Sequence, residues 1–317
     1  MKDRKSTFIF LLSGLILITY LSDSFAQDRS AYRKNNLNQK GRTGLLVFSG
    51  YYGFWLGVVP HLVWDTGYMV NNGKKIPLGP LITTPTTLIF TYYLTKNKPV
   101  TYTQTSLISL GGHWGSWQGI GWPMVLDKKK EVVIGTGAIA GLLGIGGGVL
   151  LGNTNLFSEG GAALTHSSMF MGTWFGYVAG ELFDLQSPAL MQNMLLTSNV
   201  FMLSTGILFN KTDFKRGNVM RLNALIYGNA SIAWLLYFIY SVENEKYNYD
   251  HKTAVAIAGA GSMLGIIGAT INVSWFTEKM PVVRMGDNFN IEPCIIRYTD
   301  SLQKRKIIPA AGLRFIF

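Results

Sequence analysis

Few residues in this chain have the types and spacing that could do chemistry. They are four histidines, a set of evenly placed aspartates, one glutamate in apolar surroundings and a single cysteine. A metal site needs several convergent His, Cys or carboxylate ligands, each supported by a partner. His61, His113 and His166 stand at three different offsets from the nearest tryptophan, and His251 falls in a polar connection. No metal site is expected from them. Cys294 has no second cysteine to pair with, which excludes an intramolecular disulfide, and it reads as a small buried apolar residue. Glu181 lies between Gly180 and Leu182 but only three residues from Asp184, so it is expected at an interface where water reaches it. The glycine run from Gly144 to Gly148 is not followed by Gly-Lys-Ser/Thr and is no phosphate loop. No Ser-His-Asp order with an elbow motif is present, and no acid/base pair stands out. The expectation is a chain with no catalytic residue, no cofactor and no enzymatic role.

The aspartates belong to a larger pattern. Gly53-Phe54-Trp55-Leu56-Gly57 recurs as Gly115-Ser116-Trp117-Gln118-Gly119 and as Gly172-Thr173-Trp174-Phe175-Gly176. A small residue stands four before each first glycine (Ser49, Gly111, Ser168), and an aspartate eight after each last one (Asp65, Asp127, Asp184). A fourth, eroded copy keeps Trp234, with Gly228 upstream. The tryptophans lie 62, 57 and 60 residues apart, the signature of internal duplication. Acids at matched repeat positions could line a pore mouth or bind cations. The simpler expectation is that each ends its apolar segment at the membrane surface. Each tryptophan, flanked by glycines, is expected to pack between segments.

Each repeat holds a second apolar segment, near 79–95, 132–152, 193–209 and 253–276. Small residues recur four apart on the first segments, a spacing that places them on one helix face and lets another helix approach closely. A strand would also bring them to one face, so length must decide. The apolar runs are about 17–24 residues, right for a spanning helix and roughly twice a barrel strand. The fold expected is an all-α membrane protein of about four Gly/Trp-rich helical hairpins, about eight apolar segments, with a short C-terminal β-hairpin. The alternative is an outer-membrane β-barrel.

Composition agrees with a membrane. Charged residues are 14% of the chain, against roughly 25% in soluble proteins. Apolar residues are 48%, and there are 36 glycines. The mean hydropathy of +0.22 is modest for a wholly helical membrane protein. The formal charge is +11, carried in short connections such as Lys128-Lys129-Lys130 and Lys304-Arg305-Lys306, where it can meet lipid phosphates. No basic groove with interleaved aromatics points to nucleic acid.

The first residues read as a signal peptide. Lys2, Arg4 and Lys5 precede an apolar core from Phe8 to Leu21, and Ser24-Phe25-Ala26 offers a cleavage site. The last residues, Ala311 to Phe317, place aromatics two apart and end in phenylalanine. With the signal peptide, this tail resembles the final strand of Bacteroidota-like outer-membrane proteins, and the resemblance implies the outer rather than the inner membrane. Basic connections on both sides of the supposed bilayer lean the same way. The expected organisation is a signal peptide over 1–26, a polar leader over 27–43, a repeat-containing membrane domain over 44–280 and a C-terminal tail over 281–317. The expected function is a non-enzymatic structural or interaction protein of the cell envelope, with the lipid membrane and other envelope proteins as partners. The alternative is a pore or transporter for small solutes or ions.

Overall fold

The structure, a computed structural model, describes residues 41–64, 68–71, 74–211, 216–243, 250–271, 283–284, 289–299 and 305–315. The signal peptide, most of the leader, Asp65 and Phe317 lie outside these residues. Eight helices are present among the described residues: α1 (Arg42–Trp64), α2 (Gly79–Thr95), α3 (Tyr102–Val125), α4 (Lys130–Gly152), α5 (Glu159–Leu182), α6 (Ser187–Leu208), α7 (Arg216–Glu243) and α8 (His251–Ile271). The first helix takes in the end of the polar leader. The backbone also forms β1 (Tyr68–Asn71) paired antiparallel with β2 (Lys74–Pro77). Beyond α8 come β3 (Val283–Arg284), β4 (Phe289–Thr299) and β5 (Arg305–Phe315), with β4 and β5 running antiparallel from Phe289↔Phe315 to Thr299↔Arg305.

The barrel alternative is not the architecture: the repeats are helical. A run of 23 residues rises about 35 Å as a helix, enough to cross a bilayer core of roughly 30 Å. Four helices, α1, α4, α7 and α8, are long and apolar enough to cross a membrane. These spans speak for a bilayer without selecting the outer one.

The chain divides into two compact units. Unit 1 holds α1 to α4 and residues Gln186–Leu196; unit 2 holds Ser158–Leu185 and everything from Thr197. In unit 1, α1 pairs with α2 and α3 with α4, and α1 also packs against both helices of the second hairpin. In unit 2, α7 pairs with α8, and α5 packs against both. The two units therefore follow one plan, in which the first helix of one hairpin seats against both helices of the next.

Burial is inverted relative to a water-soluble bundle. Large apolar side chains face outward on α4 (Ile139, Leu143, Leu150) and α7 (Ile232, Leu236, Ile239). Thr105, Ser106 and Ser109 of α3, and Thr165, Ser167 and Ser168 of α5, are buried. Leaving a large apolar side chain in water forgoes about 1.5–3 kcal/mol, a cost that vanishes against lipid. Three of these hydroxyls donate to backbone carbonyls: Thr105 to Gly41 (2.7 Å), Thr165 to Gly161 (2.8 Å) and Ser168 to Thr165 (2.8 Å). Without such partners they would be costly in a low-dielectric interior.

Helix ends are marked by specific residues. Thr101 and Gln104 form a reciprocal capping box at the start of α3. Ser158 caps α5 by accepting the Gly161 N–H, and Asp250 caps α8 by accepting the Thr253 N–H. The start of α2 has no cap of its own. Instead the Gly79 N–H donates to His61 Nε2 of α1 at 2.9 Å.

Candidate functional site

The repeat motif builds helix seams. In the first hairpin Gly53 faces Thr83 and Thr87, and Gly57 faces Gly79 and Pro80. Thr83 Oγ1 donates to the Gly53 carbonyl (2.6 Å) and Thr87 Oγ1 to the Ser49 carbonyl (2.8 Å), binding one helix backbone to the other. In the second hairpin Gly111 faces Gly144, Gly115 faces Ala140 and Gly119 faces Thr136, whose hydroxyl donates to the Gly119 carbonyl (2.5 Å). The registers coincide. Ser49, Gly53 and Gly57 correspond to Gly111, Gly115 and Gly119, and each set meets its partner helix at successive four-residue steps. A Cβ on Gly115 would lie 2.2 Å from the Ala140 carbonyl oxygen, and one on Gly111 2.0 Å from that of Gly144. Only glycine lets the backbones come this close.

The third repeat keeps the device. Gly172 lies against Thr197 and Ser198 of α6, and Gly176 is buried. The fourth does not keep it in register. Gly261 and Gly265 of α8 close on the backbones of Asn229 and Leu225, while Gly228, which stands where Ser49 and Gly111 stand in the first two copies, has nothing near it. The seam has moved by one residue along α7. The eroded copy thus forms a hairpin, but not through its one surviving small residue.

The four motif tryptophans are half-buried. Trp55 lies against the cluster of Leu45, Phe48, Tyr52 and Val100. Trp174 donates from Nε1 to Ser262 Oγ of α8 (2.9 Å). Trp117 and Trp55 hold buried indole N–H groups without a hydrogen-bond acceptor. Trp234 stacks on Phe238 with centroids 5.6 Å apart.

Asp127 and Asp184 are helix stops. Among the described residues they are the non-glycine residues with positive φ, 50° and 54°. After α3, the Lys128 N–H reaches the Pro123 carbonyl and the Asp127 N–H that of Met124. After α5, Leu185 reaches Gly180 and Asp184 reaches Glu181 in the same pattern. This is the Schellman closure, in which one left-handed residue turns the chain out of the helix. Asp tolerates that conformation better than most residues, but its charge faces the negative end of the helix dipole. Lys252 Nζ lies 2.6 Å from Asp184 Oδ2, and three lysines follow Asp127.

Sequence reasoning missed one cluster, in unit 2. His251 begins α8 instead of lying in a connection. Its Nε2 is 2.8 Å from Tyr177 Oη and 3.9 Å from Glu181 Oε2. Tyr177 and Glu181 stand four apart on α5, with Asp184 just past its end, so one face of that helix and its closing turn meet the start of α8. The signal was present in that spacing, but its partner lay 70 residues on. Beside it, the Thr253 hydroxyl and then the Thr253 N–H hold the Asp250 carboxyl below the usual carboxylate range. The arrangement joins the end of α5 to the start of α8 through polar side chains. His61 and His113 lie elsewhere: His61 accepts from Gly79, and His113 meets Phe48 edge-to-face and Tyr51 at a tilt in unit 1. Among the described residues, His, Cys, Asp and Glu form no group of three able to hold a metal ion.

Comparison with family models, with curated proteins and with solved structures finds no match to this chain.

Proposed function

We propose that the chain is a non-enzymatic integral protein of the cell envelope with a structural or partner-holding role. One observation carries this reading: the residues repeated in register are taken up by helix seams and helix stops. Gly53, Gly115 and Gly172 lie in close backbone contacts, and Asp127 and Asp184 close helices. The buried hydroxyls of Thr105, Thr165, Ser167 and Ser168 support it further, because each donates within the protein, to a backbone carbonyl or to Asn223. The test has two arms. The purified chain in liposomes should leave gradients of ions and small solutes intact. In cells, a photo-crosslinker placed at Leu143 on the outward face of α4 should give one discrete protein adduct. A gradient that collapses through the reconstituted chain, and is restored by replacing Ser106 and Ser109 with alanine, would install the pore in its place.

A further inference from the structure

We propose that the end of unit 1 formed by the start of α1 and the end of α2 is a docking surface for the headgroup of an anionic phospholipid. The inference rests on the membrane reading and adds a specific lipid contact to it. The Arg42 guanidinium lies over the Tyr92 ring and Lys96 Nζ over the Tyr93 ring, each 4.7 Å from the centroid. The two rings meet edge-to-face at 5.7 Å, so the two cations are seated on neighbouring rings. Arg42 is held further by donation from Nη2 to the Tyr92 carbonyl (3.3 Å). Tyr92 and Tyr93 are 49% and 60% exposed, which leaves the seat open to the outside.

Charge and surface continuity choose the occupant. The acidic residues among the described part of unit 1 are Asp127 and Glu131. Both stand beyond the far end of α3, about 35 Å away at 1.5 Å per residue. Arg42, Lys96 and Lys98 therefore share an end of the unit that holds no carboxylate among the described residues. From Tyr93 the outward face of α2 continues through exposed Phe90, Ile89 and Ile82. A phosphate between Arg42 and Lys96 would place acyl chains along that face. A free phosphate would gain nothing from it. Aromatic rings and long cations at the end of an apolar helix are the arrangement that holds headgroups at a bilayer surface.

Native mass spectrometry of the full chain tests this, with phosphatidylglycerol and phosphatidylcholine of identical tails as probes. Phosphatidylglycerol should be retained roughly tenfold better, as two basic residues near a charged headgroup imply. Most of that preference should vanish in the double variant Arg42→Gln/Lys96→Gln and persist in Lys128→Gln at the opposite end. Inorganic phosphate at millimolar concentration should not displace the lipid. Equal retention of the two lipids, or an unchanged preference in the double variant, would overturn the proposal; displacement by inorganic phosphate would assign the seat to a free anion instead. If the double variant does not fold, Tyr92→Leu/Tyr93→Leu keeps both charges and should still weaken the preference. On the unaltered chain the preference should collapse in about 1 M salt, where the screening length is roughly 3 Å. Release of the chain from membranes by alkaline carbonate would instead mark failure of the membrane reading itself.

Discussion

Gly115 and Gly146 are both glycines of transmembrane-length hairpin helices, yet they should respond oppositely to a methyl group. A Cβ on Gly115 meets the Ala140 carbonyl oxygen at 2.2 Å, whereas Gly146 is exposed with nothing near it. Gly115→Ala must push two backbones apart, and overpacking of this kind costs about 1–3 kcal/mol. Gly146→Ala removes a flexible residue from a helix interior and should be neutral or stabilising by up to about 1 kcal/mol. Thermal unfolding in detergent reads both, and equal midpoints for the two variants would contradict the seam. Asp127 offers a second test. Glycine adopts its left-handed conformation freely and removes a charge from the negative end of α3, so Asp127→Gly should raise the unfolding midpoint. Asp127→Val should lower it, by about 1–2 kcal/mol, because a β-branched residue resists positive φ. The same ranking is expected at Asp184, where loss of the exposed Lys252 pair offsets about 0–1 kcal/mol.

At the scale of the element, two helices start on side chains whose state can be changed. Asp250 caps α8, and hydrogen bonds from Thr253 hold its carboxyl below the usual range. A carboxyl depressed by folding contributes stability that is complete above its unfolded value and is lost as pH falls through its folded one. Protection of the amides at the start of α8, measured against the intrinsic exchange rate at each pH, should therefore fall on acidification. In Asp250→Asn, which keeps an acceptor without a titrating group, that loss of protection should be absent. The start of α2 depends on His61 Nε2, so His61→Leu leaves the Gly79 N–H without its acceptor and costs about 1–3 kcal/mol. Faster exchange at the start of α2, with the rest of the unit unchanged, is the expected sign. The elements themselves were legible in the sequence because their lengths and apolar runs were. The second segment read at 79–95 is α2, Gly79–Thr95. The one read at 193–209 begins earlier as α6, at Ser187, because Ser187, Pro188, Gln192 and Asn193 dilute the hydropathy of its first two turns.

At the scale of the whole molecule, the reading stands on helices that cross a bilayer. With Cys294 replaced by serine, single cysteines at Lys129 and Asn155 bracket α4, one of the four candidate spans. An impermeant maleimide should label the two positions from opposite faces of the membrane. Labelling of both from one face would remove α4 as a span.

The sequence alone showed the repeat, segments long enough for spanning helices and the acid that follows each motif, because each depends on a local rule, while the choice between helices and a barrel fell to the structure. Periodicity marks duplication, about 20 apolar residues match a bilayer, and an acid eight residues past the motif recurs where the helix ends. The sequence could not say why the acid stands there. The left-handed φ of Asp127 and Asp184 is a backbone property that a polar residue near an interface only hints at. Tertiary structure alone decided which residues meet. It matched the seams of the first two hairpins in register, displaced the fourth by one residue so that Gly228 faces open space, and set Tyr177, Glu181 and His251 together across 70 residues. Helix composition specifies a face, but a rotation of about 100° per residue means that a one-residue shift along α7 changes which face is the seam. Only the packed partner determines that rotation.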